Sequence, residues 1–271
     1  MLRPPRPLAV LLVLSAALAV AACSRFRDGR SDEMQSAPEQ LYERAARDLA
    51  NSDYDNAIRL YEALVARYPF TNEARQARLD LIYAYYRGRE TESALDAADT
   101  FIRENPTHPR VDYAWYVKGL VDFERLPNFF ERIFNADLDQ RPPQTARKSF
   151  AAFRKVVEDY PKSIYAHDAR RRMIYLRNRL ADYDLHVARY YLKRGAWVAA
   201  AQRAKQCIEQ YDGAPAVREA LEIMIHSYDK LGMQPLAEQT RRVYRENYQA
   251  DVGEWQPAAK KRRWWNPFDR G

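Results

Sequence analysis

The sequence predicts an all-α protein, a helical solenoid of about five helix-turn-helix repeats, and three observations carry that prediction. The 271 residues include only 8 glycines against 19 tyrosines, a composition that suits helices and not a turn-rich β protein. Across residues 38–248 apolar side chains recur at helical spacing almost throughout. Within that stretch one arrangement of small residues, large residues and turn signals returns five times.

Taken in chain order, the first element is a short basic head (Arg3, Arg6) followed by a 13-residue, largely apolar stretch, residues 8–20. It is shorter than the roughly 20 apolar residues a membrane-spanning helix needs. Its charged, apolar, then small order is that of a secretory signal peptide. Val20, Ala21, Ala22 and Cys23 together resemble the bacterial lipoprotein box. That resemblance implies removal of residues 1–22 and a Cys23 carrying S-diacylglycerol and N-palmitoyl groups. Ser24 follows where the sorting pattern of such lipoproteins uses Asp for retention, so the resemblance implies the outer membrane. Residues 23–37 are polar and aperiodic and read as a lipidated flexible tether; the 14 residues from Ser24 to Ala37 span on the order of 20 Å as random coil.

The repeats come next. Leu41, Ala45, Tyr54, Ala57, Tyr61, Leu64 and Pro69 follow the spacing of a tetratricopeptide repeat. In that unit small residues sit where two helices approach most closely, and proline ends the second helix. Leu81, Ile82, Tyr85, Ala94, Phe101 and Pro106 repeat the pattern, and Trp115, Gly119, Ser149, Phe153, Val156 and Pro161 give a third copy. Ala188, Tyr191, Gly195, Trp197, Ala200, Ala204 and Cys207 form the fourth; Leu221, Ile225, Tyr228, Gly232, Ala237 and Tyr244 form the fifth. The expected boundaries are 38–70, 72–107, 109–162, 163–212 and 214–248. The anchors Ala57, Ala94, Ser149, Ala200 and Ala237 lie 37, 55, 51 and 37 residues apart, so two intervals exceed the usual period of about 34. The extra chain of the third repeat falls in residues 125–144, where Pro142 and Pro143 exclude helix interior. That of the fourth makes residues 163–194 one long helix. A basic, aromatic tail, residues 249–271, is expected to be disordered; it contains Lys260, Lys261, Arg262, Arg263, Trp264 and Trp265.

Catalytic and metal chemistry find no foothold. His108, His167, His186 and His226 are scattered without metal-ligand spacing, and no phosphate-cradling loop or nucleophile elbow occurs. Neither an enzyme nor a cofactor is expected, and a hydrolase hidden in residues 125–144 would lack a nucleophile with a base. With Cys23 acylated, Cys207 is the remaining thiol; its repeat position is an interhelix packing site, which predicts a buried, inert group. Loss of the signal peptide lowers the formal charge from +7 to +5, and the charges are interspersed, so no nucleic-acid partner is expected.

Binding surfaces are more informative. The first helix of each repeat lines the concave side of such a solenoid. Groove-facing positions hold Tyr42 in the first repeat, Tyr83 and Tyr86 beside Arg87 in the second, and Tyr113 and Tyr116 in the third. Arg75 lies eleven residues before Tyr86, nearly on the same helical face. Tyrosine offers apolar area at low entropy cost, and arginine pairs bidentately with carboxylates. Together they suit an extended peptide with aromatic residues and a terminal carboxylate.

The strings ARYPF, LDLIYAYY, FIRENPTHP, DYAWYVKGL and RGAW, on five repeats behind a lipoprotein box, resemble the BamD family. The resemblance covers roughly residues 38–248. It implies a periplasmic lipoprotein of the β-barrel assembly machinery (the BAM complex), held on the inner leaflet of the outer membrane. It further implies N-terminal repeats that meet unfolded outer-membrane β-barrel proteins. The C-terminal repeats would dock the POTRA domains of BamA and other BAM lipoproteins. Arg194, beside Gly195 of the RGAW motif, becomes a candidate POTRA contact. The rival reading is a tetratricopeptide lipoprotein adaptor for other envelope machinery, such as that of peptidoglycan; the proteins that co-purify discriminate the two.

Overall fold

The computed structural model describes residues 37–124 and 143–252; Cys23, residues 125–142 and residues 253–271 lie outside them. Ten α-helices and no strand occur among the described residues. They are α1 (Pro38–Ala50), α2 (Tyr54–Arg67), α3 (Asn72–Arg87), α4 (Thr91–Glu104), α5 (Val111–Glu124), α6 (Gln144–Asp159), α7 (Ala166–Lys193), α8 (Trp197–Gln210), α9 (Ala216–Lys230) and α10 (Gln234–Tyr248).

The repeat is written into the backbone angles. The residues preceding the even-numbered helices, Asp53, Glu90, Pro143, Ala196 and Met233, share φ between −82° and −86° and ψ between 56° and 75°. Those closing α2, α4, α6 and α8, namely Tyr68, Asn105, Tyr160 and Tyr211, share φ between −126° and −130° and ψ between 47° and 56°. Three of the four precede Pro69, Pro106 and Pro161, and a proline ring excludes the α conformation from the residue before it. Eleven residues ahead of each closing residue stand Ala57, Ala94, Ser149 and Ala200, all at 0% exposure, as does Ala237 in α10. Small side chains there let helices approach closely, and Ser149 satisfies its buried hydroxyl by donating to the Gly119 carbonyl at 2.9 Å.

Where an odd helix turns into an even one, a single left-handed residue reverses the chain: Ser52, Arg89, Gly195 and Gly232, at φ between 63° and 72°. Helix starts draw on side chains as well. Asp53 accepts from the Asn56 amide at 3.3 Å, and Thr71 accepts from that of Ala74 at 3.2 Å.

The chain divides into two compact units within α5, after Val117. In the first, α1 packs on α2 and α3, α2 on α3, and α3 on α4. Its core includes Leu41, Ala45, Leu60, Tyr61, Leu64 and Leu81. In the second, α6 through α10 pack in succession and α7 also meets α9. α7 has 28 residues, about 42 Å of continuous helix. Beyond α10, Gln249 turns left-handed at φ 48°, and Ala250 and Val252 fold back onto Leu221, Ile225 and Tyr244. Where the sequence ends the packed body at residue 248, burial of Val252 extends it by four residues.

Candidate binding faces

In the first unit one stripe of α3 carries the polar and aromatic groups. Gln76, Asp80, Tyr83 and Arg87 recur at intervals of four, three and four residues, which places them on one helical face. Asp80 is the centre of this stripe. Its Oδ2 accepts from the Tyr42 hydroxyl of α1 at 2.8 Å, and its Oδ1 accepts from Gln76 Nε2 at 3.0 Å. Burial holds the Asp80 carboxyl above the usual carboxylate range, while these hydrogen bonds and the Arg110 charge oppose the shift. Burial also raises the Tyr42 phenol, reinforced by the bond to Asp80. The Tyr42 ring packs 5.7 Å from that of Tyr61.

At the C-terminal end of the same stripe Arg87 is exposed. Its guanidinium donates to the Tyr83 hydroxyl at 2.8 Å and lies 5.5 Å from the Tyr54 ring centroid and 5.6 Å from that of Tyr83. Arg110 stands 5.0 Å from the Tyr113 ring centroid. Each of these arginines thus has its plane held near an aromatic face and retains further N–H donors, five being available on a guanidinium.

The structure therefore sorts the sequence candidates into subsets. Tyr42, Tyr83 and Arg87 join a face built around Asp80. Tyr113 joins Arg110. Arg75 and Tyr86 share a different face of α3, turned by roughly 100° from the Asp80 stripe and separated along the axis by about 16 Å. Arg75 is exposed and reaches Asn72, while Tyr86 and Tyr116 are half-buried. Asp80, Gln76 and Arg110 escaped the sequence reading, which names Tyr54 only as a repeat position. The regular spacing of Gln76, Asp80, Tyr83 and Arg87 was the available signal for the first two.

The second unit presents a corner. Arg194 caps the C-terminus of α7, is exposed, and holds its guanidinium 4.8 Å from the ring of Tyr190, itself 48% exposed. Gly195 takes φ 72° to turn the chain, and Trp197 meets His226 of α9 edge-on at 5.7 Å. Consecutive helices joined by tight turns run antiparallel, so the starts of α8 and α10 lie at the same end of this unit. At the starts of α8 and α10, Val198, Met233 and Leu236 are exposed. Elsewhere Arg189 and Glu219 form a two-bond ion pair between α7 and α9, and buried Asp184 pairs with Arg203 at 3.1 Å. Cys207 is fully buried. Among the described residues no group of three or more His, Cys, Asp or Glu could hold a metal, and no helix is long and apolar enough to cross a membrane.

Known proteins resemble this chain along most of its length. Residues 34–243 match the YfiO family model, described as an outer membrane lipoprotein. The outer membrane protein assembly factor BamD of Neisseria meningitidis serogroup A is 39% identical over 263 residues, 94% of this chain and 97% of its own. That of Vibrio cholerae is 40% identical over 210 residues, covering 78% and 87%. That of Xylella fastidiosa strain Temecula1 is 33% identical over 242 residues, covering 89% and 82%. Among solved structures the MamA protein aligns with 80% of this chain at 14% identity and a TM-score of 0.34, too low to carry weight. With a family model and relatives that span both the helical repeats and the faces built on them, the chain belongs to the BamD family of outer membrane protein assembly factors.

Proposed function

We propose that this protein works without catalysis, as a lipid-anchored subunit of the BAM complex that holds unfolded β-barrel proteins and presents them to the barrel-forming subunit. Acylated Cys23 fixes it to the periplasmic face of the outer membrane. The Asp80 stripe of α3, with Tyr42, Tyr54, Tyr83, Arg87, Arg110 and Tyr113, receives the extended end of a barrel protein. The aromatic faces take its apolar side chains, and Arg87 meets its carboxylate. The Arg194 corner docks a POTRA domain of BamA. The observation that carries the reading is the stripe itself. An exposed arginine poised over two tyrosines, about two turns along α3 from a hydrogen-bonded carboxylate, supplies directional groups for a main chain and flat surface for aromatic residues.

Photo-crosslinkers at Tyr83 and Arg87 test this. They are expected to capture the C-terminal strand of a barrel protein during its assembly, whereas crosslinkers at Ala66 and Arg103, exposed positions on α2 and α4, are not. Equal capture at the two pairs of positions would remove the α3 stripe from substrate binding.

A further inference from the structure

The opposite side of α3 carries a second set of groups that the proposed role leaves unused. Arg78, Leu81 and Tyr85 recur at intervals of three and four residues, on a face roughly 160° around the helix from the Asp80 stripe. They line an open cavity of about 290 Å³ to which α2 contributes Val65 and α4 contributes Ala97 and Phe101. Arg78 is tied to the preceding turn, its guanidinium donating to the Pro69 carbonyl at 3.1 Å. Carboxylates gather about the Tyr85 hydroxyl. It donates to Glu62 at 2.5 Å; burial, that bond and the charges of Glu62, Glu90 and Asp96 hold the phenol above its ordinary value. Asp96 lines the cavity and, like Glu62 and Glu90, is exposed. The excess of acid is general in this unit: residues 38–117 hold fourteen Asp and Glu against ten Arg and no Lys, a net charge of −4 in a chain whose total is +7.

We propose that this cavity receives a basic side chain, lysine or arginine, from an extended segment of a polypeptide partner. Pockets for small molecules measure roughly 300–1,000 Å³, so a space of this size suits one long side chain and not a whole cofactor. Lysine and arginine join an apolar stem to a charged head. The stem lies along Val65, Leu81, Ala97 and Phe101, and the head meets Asp96 and Glu62 at the rim. The net negative charge of the unit attracts such a partner and repels an acidic one. The cavity and the Asp80 stripe share no side chain, so the two faces of α3 are occupied independently.

The test uses the whole mature polypeptide from Ser24, without acyl chains, its Val, Leu and Ala methyls isotope-labelled for nuclear magnetic resonance. The probe is the peptide acetyl-Ser-Ile-Lys-Ile-Ser-amide at millimolar concentration, beside counterparts with norleucine or glutamate in place of lysine. The lysine peptide is expected to give saturable shifts at the methyls of Val65, Leu81 and Ala97. Norleucine keeps the stem and loses the charge; its peptide should bind about fivefold more weakly, the upper range for an exposed ion pair. The glutamate peptide should not bind measurably. Combined Glu62→Gln and Asp96→Asn should cost the lysine peptide a similar factor. Ala97→Leu, which fills the cavity, should remove its binding, with far-ultraviolet circular dichroism of both variants unchanged. No saturable shift with the lysine peptide overturns the proposal. So does equal binding of either counterpart, undiminished binding by the two-site variant, or binding that survives Ala97→Leu. Crosslinking at Tyr83 and Arg87 is expected to be unchanged in both variants, so this outcome and that of the substrate test are read separately.

Discussion

Cys207 shows how much one buried residue constrains. Its Sγ–H points to the Ala181 carbonyl, 3.6 Å away, and the thiol is pushed up to about 12, first by burial and then by the charges of Asp184 and Asp182. Ionisation is harder in the folded chain than in the unfolded one, where the thiol titrates near 9.0. The stability this contributes is complete below about pH 9 and is lost as pH climbs towards 12. Tyr211, likewise pushed up to about 12 by burial and Asp184, adds in the same direction. Two outcomes are expected. Iodoacetamide at pH 8 should leave Cys207 unmodified in the native, unacylated chain and label it in urea, and the urea midpoint should fall above pH 9. Rapid native labelling would mean that the contact between α7 and α8 opens freely.

At the scale of elements, the packing of α5 on α6 turns on the absence of one carbon. A Cβ added at Gly119 would lie 2.6 Å from Phe153 Cε1 and 2.7 Å from Cδ1. Phe153 is fully buried and has little room to give. Alanine in a helix interior gains roughly 0.5–1 kcal/mol over glycine, whereas overpacking a core costs about 1–3 kcal/mol. The second effect wins, so Gly119→Ala should lower stability by about 1–2 kcal/mol in urea titration with native helical content. Equal or greater stability would show that the Phe153 ring repacks. The same scale explains why helix ends were legible in the sequence. Pro69, Pro106 and Pro161 act on the residue directly before them, and Gly195 relieves a left-handed turn within its own peptide unit. These are local effects, and a sequence records local effects directly.

For the whole molecule, the reading that matters is which proteins it holds. If the Arg194 corner docks BamA, Arg194→Glu should reduce co-purification of BamA from detergent-solubilised outer membrane at least about tenfold, the loss typical of a central arginine contact. An acidic side chain at a helix C-terminus also opposes the helix dipole by about 0.3–1 kcal/mol. Arg194→Ala, free of that penalty, should weaken the association in the same direction. Undiminished BamA recovery with both variants would take Arg194 out of the interface. Recovery of peptidoglycan enzymes in place of BamA would favour the adaptor reading.

Helix content, the repeat, the buried small residues Ala57, Ala94, Ser149, Ala200 and Ala237, and the family likeness all followed from the sequence by itself. Each depends on residues within one turn, one helix or one repeat period of one another. The pairing of Tyr42 with Asp80 across 38 residues did not follow, nor did that of Arg189 with Glu219 across 30. Sequence placed Tyr42 and Arg75 in one groove; the structure commits the Tyr42 hydroxyl to Asp80 and turns Arg75 onto another face of α3. It likewise carried the packed body on to Val252. Such outcomes depend on how one repeat rotates onto the next, and that rotation is decided by the packing of whole helices, which no single residue spacing records.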